Sequence, residues 1–398
     1  PGGERNTDEN GFRTNNSSGG NSRPTEEFRL DGSYFFTTSN LNHELKFGGR
    51  TREATTSSAW SYPGRNIWHY DGVPAQVQDP AFLESIGLPG GQAANAHAVY
   101  AYRQDPAPIT TNYDSFWVQD TMTMGAWTFN AGLRYDGQDG ENGAATVNAN
   151  PAFPTEMPGL SFPGNDGEGL NWTSIVPRLG VTYALGEERK TLIRGSFSQF
   201  ADAMSLGNIS RVNPVSGQGL ALAFIDSPGG FSSFYDAGEQ YAIMYGFWGF
   251  NVNDPSALST AAQNDSSMDP PTTSELIIGA EHAFLPEFVA SLQVTYRNKD
   301  AEDFQRLFEN NATGEITTIP STEYIADGSV SGIRPDGTAY NIPTYAADPA
   351  KWSYTGGTLY TNGDREINYL GTAVTFTKRL SNQWMLRGFF NYNFDESW

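Results

Sequence analysis

Few residues that could do chemistry in this 398-residue chain stand at a spacing that chemistry uses. The four histidines, His43, His69, His97 and His282, are too scattered for an HExxH helix or a paired zinc site. There is no cysteine, which removes disulfides, thiolate metal sites and cysteine nucleophiles. The 43 glycines form neither GxGxxG nor a phosphate-cradling GxxxxGK loop, and no Gly-x-Ser-x-Gly elbow occurs. Asp and Glu together number 45, but no motif pairs two of them for acid–base work, so no enzyme class emerges.

Two stretches keep a binding role open. Asp136, Asp139 and Glu141, in a Gly-rich run, could offer oxygens to a loop Ca²⁺, although their spacing is not that of an EF-hand. A flexible Gly–Asp turn is the plainer reading, and no other cofactor is implied. The run from Tyr241 to Phe250 is almost wholly apolar and needs a cover, from neighbouring loops or from a ligand. Tyr245, Phe247, Trp248 and Phe250 are therefore the candidate substrate contacts.

The elements that must position these residues are strands. Aromatics number 53 (9 Trp, 19 Tyr, 25 Phe), with 23 Pro and only 7 Met, a mixture that favours strands and turns. No run of 18 apolar residues exists, so a helical membrane span is excluded, whereas a spanning β-strand averages out as hydrophilic. Five hairpins are legible, with turns near Asn40, at Gly125–Ala126, over 186–190, at Leu285–Glu287 and at Ser381–Asn382. Their strands run about 10–14 residues, longer than the ~5–6 common in globular sheets. Trp127, Phe129, Ala131, Leu133 and Tyr135 alternate with Thr128, Asn130, Gly132, Arg134 and Asp136, which puts each set on its own face.

Between the hairpins lie four long connections, 53–112, 138–172, 201–271 and 301–364. In a meander all the short turns fall on one side and all the long loops on the other, as in an outer-membrane barrel. The expected fold is all-β: an antiparallel transmembrane β-barrel meander of about ten strands, partial, with short periplasmic turns and long extracellular loops. A soluble sandwich with the apolar set inward fits the alternation equally well; strand length and one-sided loops separate the two. Tyr34, Phe35, Phe36, Phe116, Trp117, Trp384 and Phe390 read as interfacial aromatics. The four connections carry −20 of the net −21 charges. That balance argues against nucleic acid as a partner; solvated loops or a salty habitat are the plainer reading of the acidic connections, and a field that draws cations to the external mouth is the functional one.

Several words in these strands are familiar. Phe116-Trp117-Val118-Gln119-Asp120 followed by Ala131-Gly132-Leu133-Arg134-Tyr135-Asp136 resembles the barrel of TonB-dependent outer-membrane receptors. Pro177-Arg178-Leu179-Gly180 with Arg194-Gly195-Ser196-Phe197 resembles the next hairpin of that family. Lys378-Arg379-Leu380-Ser381-Asn382-Gln383-Trp384 is similar to a late-barrel turn of its Oar-like branch.

The resemblance implies a receptor and transporter in the bacterial cell outer membrane, with a signal peptide, a plug, a TonB box and about 22 strands. Its partners would be outer-membrane lipid and lipopolysaccharide, a substrate of unknown identity, and the TonB–ExbB–ExbD complex through an N-terminal part. No plug-like segment or TonB box is legible in this chain, so residues 1–398 read as part of one barrel domain. A passive porin or surface-binding barrel is the alternative. The closing Asp395-Glu396 suits the start of another loop, and Trp398 could be an assembly signal.

Overall fold

The computed structural model describes residues 4–5, 18–61, 67–70, 76–103, 107–165, 169–215, 217–225 and 240–397. Its main body is a single antiparallel meander. The wall strands are β1 (Thr25–Thr38), β2 (Leu41–Ser61), β3 (Ile109–Met124), β4 (Trp127–Asn142) and β5 (Leu170–Leu185). They continue as β6 (Thr191–Ala201), β7 (Thr272–Leu285), β8 (Phe288–Asn310), β9 (Trp352–Ser381) and β10 (Trp384–Ser397). Each pairs with its neighbour in sequence, from β1 beside β2 to β9 beside β10. Among the described residues β1 and β10 are the outer strands, and they do not pair with each other, so the wall is not closed.

The five expected turns are all present at one end. Four need left-handed backbone, which Ser39 (φ 53°), Gly125 (φ 60°), Gly186 (φ 77°) with Arg189 (φ 51°), and Asn382 (φ 51°) with Gln383 (φ 68°) supply. Consecutive positive φ values at Asn382 and Gln383 make the primed turn whose twist matches the flanking strands. The Lys378 ammonium donates to the carbonyls of Arg379, Ser381 and Trp384 and lies 4.1 Å from the Trp384 ring centroid. The Lys-Arg-Leu-Ser-Asn-Gln-Trp word is thus a self-capped hairpin end.

Register sorts the side chains as period 2 demands. Phe47, Val118, Leu133 and Pro177 are successive cross-strand partners on one face; Gly48, Trp117, Arg134 and Val176 follow each other on the opposite face. The first face is apolar and bare: Phe28 is 67%, Leu133 53%, Ile278 56% and Phe390 63% exposed. A sandwich would cover that face. An apolar band of this extent left uncovered by the protein belongs against lipid.

Three expectations need correction. The strands overrun their expected 10–14 residues at the long-loop end, where β2 has 21, β8 has 23 and β9 has 30 residues. Strand β10 runs through Asp395 and Glu396, which pair with Tyr369 and Asn368, so this segment is not yet a loop; Trp398 lies outside the described residues. Phe35 and Trp117 are not interfacial aromatics, because their parity turns both to the polar face, where the guanidiniums of Arg29 and Arg134 lie 5.6 and 5.4 Å from the Trp117 ring centroid.

The long connections are folded as well. Strands Ala96–Arg103 and Gln218–Ile225, from two different connections, pair side by side in a five-stranded sheet that also holds residues 67–70 and 240–247. Large side chains, Val99, Leu220, Leu222 and Phe224, bury one face of it against Phe153, Met157 and Phe250. Small ones, Ala96, Ala98 and Ala223, bury the other against Val77, Leu83 and Leu88, the second of these on α1 (Pro80–Ser85). Both faces being covered, these two strands are almost wholly buried. Each fully buried Leu is worth ~1.5–3 kcal/mol, so this cap has a core of its own.

The cap is fastened to the wall by α2 (Leu206–Ser210), whose Ile209 packs with Ile109 of β3 and with Leu170 and Trp172 of β5. The fourth connection adds a separate hairpin of Tyr324–Ile333 with Ala339–Ala347.

Candidate functional site

The apolar run is the edge strand Gln240–Phe247 of the cap sheet, followed by a tight turn. The turn closes with the Phe250 amide donating to the Phe247 carbonyl at 3.2 Å, and it holds Trp248 (φ 55°) and Gly249 (φ 83°) in left-handed backbone. Such backbone is costly for a bulky residue and persists only where its surroundings enforce it. Phe247 is paired with Gly219, whose missing side chain leaves the room that the ring occupies. Its ring also meets Tyr100 and Tyr102 edge-on, each at 5.8 Å.

The four candidates therefore separate. Phe250 is buried in the core cluster and Phe247 is half-buried, so both build the cap. Tyr245 and Trp248 are 44% and 55% exposed, an aromatic surface on the external side. Tyr241 joins them at the same edge; its hydroxyl donates to Glu156 at 2.5 Å, and that carboxylate, with burial, pushes its pKa up to about 12. Neighbouring loops thus cover only part of the apolar run: Phe250 is buried, whereas Tyr241, Ile243, Tyr245 and Trp248 are exposed.

Beneath this surface sits Arg103, only 3% exposed. It donates to the carbonyls of Pro158 and Pro255 and to the Gln218 side chain, with its guanidinium 5.2 Å from the Phe250 ring centroid. One cation thus ties three connections together. Burial pushes its pKa down to about 10, and it keeps its proton at neutral pH.

The candidate Ca²⁺ ligands are not brought together. Strand β4 runs through Asn142, so Asp136 lies on the polar face while Asp139 and Glu141 share the opposite one. Asp136 already accepts from Arg134 at 2.8 Å and from Tyr113 at 2.6 Å, and Asp139 accepts from Asn112 at 2.8 Å. Among the described residues no group of three or more acidic or histidine side chains is gathered for a metal. His43 contacts Asp120 at 2.7 Å and Thr38 at 2.8 Å, and His282 contacts Thr191 at 2.7 Å.

What sequence reasoning missed is the arginine cluster on the polar face of the wall. Arg29, Arg50, Arg134 and Arg178 line a cavity of about 260 Å³ together with Trp117 and Gln119. The signal was present in the alternation: once hairpins are set in register, the arginines of β1 to β5 fall at neighbouring positions of one face.

A meander of ten long strands, apolar and bare on one face and polar on the other, with short turns at one end and a folded cap at the other, is a membrane β-barrel wall. Residues 4–395 match the family described as outer membrane beta barrel domain, and the chain belongs to that family and to the outer membrane. Its strands resemble those of the siderophore receptor PiuA from Acinetobacter baumannii at 12% identity, over 95% of this chain and 39% of that one, with a TM-score of 0.46. The ferric citrate transporter FecA matches at 10% identity, over 97% of this chain and 57% of that one, with a TM-score of 0.32. The outer membrane transporter YddB from Escherichia coli matches at 10% identity, over 95% and 46%, with a TM-score of 0.28. The chain spans less than two thirds of each of these proteins. No curated protein matches it.

Proposed function

We propose that this chain is the wall and external cap of a TonB-dependent, Oar-like receptor and transporter, which captures substrate outside and passes it along the polar face to the periplasm. The observation that carries this reading is the placement of Tyr245 and Trp248 on a cap built over its own core, above a wall whose other face is polar. Exposed aromatic rings on a rigid sheet give a ligand large contact area with little entropy to lose. The acidic connections favour cationic or metal-bearing substrates over free anions. Energy would come from TonB–ExbB–ExbD through a part of the protein outside this chain.

The test uses cells expressing the intact receptor, with compounds retained from culture medium read by mass spectrometry. Replacing Tyr245 and Trp248 together by Ser abolishes retention while the barrel still assembles. A protonophore abolishes uptake but leaves surface capture. Uptake that survives the protonophore would instead identify a passive porin.

A further inference from the structure

We infer that the polar face of β1–β5 holds a binding site for planar oxyanions, carboxylates above all, formed around Trp117 by Arg29, Arg50, Arg134 and Arg178. The site lies inside the barrel at the height of the lipid-facing band. In register, Arg29 pairs with Arg50, and Arg134 pairs with Trp117; their chain neighbours Phe28, Leu30, Leu133 and Tyr135 are exposed on the opposite, lipid-facing side.

Charge and geometry both point to an anion. Five arginines stand here, the four named and Arg52, against three carboxylates. Glu27 accepts from Arg50 at 2.6 Å, Asp31 from Arg29 at 2.7 Å and Asp136 from Arg134 at 2.8 Å. Among the described residues no carboxylate pairs with Arg52 or Arg178; their guanidiniums rest 5.6 Å from Tyr113 and 5.2 Å from Phe200. The excess is two positive charges in a chain of net charge −21.

Stacking is the second argument. Arg29 and Arg134 each lie over the Trp117 ring, and Arg178 lies over that of Phe200. A guanidinium laid on an aromatic ring uses its face and leaves its in-plane N–H donors free, and those donors match a carboxylate or phosphate bidentately. Arg178 is exposed on the cavity rim and so presents its donors to an incoming ligand.

The carboxylates have two sources, a diffusible small polyacid or acidic side chains of a polypeptide seated in the barrel, and one experiment separates them. The intact protein in detergent micelles is titrated calorimetrically with tricarballylate and, separately, with a tetraglutamate peptide. R178Q and R178K are compared with wild type, and R387Q serves as a control on β10. Saturable tricarballylate binding, weakened at least tenfold in R178Q, partly restored in R178K and unchanged in R387Q, establishes a small-oxyanion site. The same pattern with tetraglutamate alone establishes a polypeptide carboxylate as the ligand. Binding of neither probe, or equal affinity in wild type and R178Q, overturns the proposal. This outcome is independent of the protonophore result, so the site and the transport reading fail separately.

Discussion

Wall and cap are built from opposite uses of the same apolar residues. In the wall, Leu133, Leu179, Ile278 and Leu292 stand on one face of single-layer strands and remain about half exposed. In the cap, Leu220, Leu222, Val99 and Leu83 are wholly buried between a sheet and the chain that covers it. The wall relies on lipid to complete its burial and the cap supplies its own. The two regions should therefore fail independently, and by different mechanisms.

The largest effect is expected from the cap core. Leu222→Ala removes a fully buried side chain, at a cost of ~2–5 kcal/mol. Limited proteolysis of the micelle-bound protein should then cut the connections while the far-ultraviolet β signal of the wall persists. Loss of both together would show that cap and wall are one cooperative unit. A polar substitution on the lipid side should do the reverse. Val294→Arg on β8 costs ~2–4 kcal/mol when the site lies near the bilayer midplane. It lowers the yield of membrane-inserted barrel and leaves the protease resistance of the cap core unchanged.

Arg103→Met tests how the cap is held together. It removes the donors to Pro158, Pro255 and Gln218, and each buried partner left unsatisfied costs ~1–3 kcal/mol. Hydrogen exchange should speed up in all three connections rather than in the strand Ala96–Arg103 alone.

The smallest effect is at the rim of the cap. Glu156 favours the neutral Tyr241 phenol and raises its pKa to about 12. The contact contributes in full below the free phenol value of ~10 and is lost as pH rises through about 12. Ultraviolet titration should show Tyr241 moving down towards ~10 in Glu156→Gln. An unchanged titration would remove the hydrogen bond from the account.

The wall was legible because its rules are local. Alternation set the faces, and the short turns betrayed themselves at Gly125–Ala126 and Ser381–Asn382. The Asp136–Glu141 stretch looked like a loop because it is rich in Gly and Asp. It stays in β4 because both neighbours pair with it, Gly137 with Thr173 and Asp114, and Gly140 with Leu170 and Thr111. The cap was hidden because its strands pair over long separations, Gln218 with Arg103 for one. Its one local sign was the unbroken apolar run from Gly219 to Ile225, the mark of a strand covered on both faces. The Arg29–Arg178 patch appears only when five strands are set in register, which no single window of sequence contains.

The absence of cysteine makes the central claim directly measurable. Single cysteines placed in turn from Ser291 to Tyr296 of β8 can carry a spin label in protein reconstituted in liposomes. The label should be accessible to oxygen dissolved in lipid at Leu292, Val294 and Tyr296, and to a water-soluble nickel chelate at Ser291, Gln293 and Thr295. Uniform accessibility along the strand, or the opposite alternation, would contradict the assignment of the apolar face to lipid and with it the membrane wall.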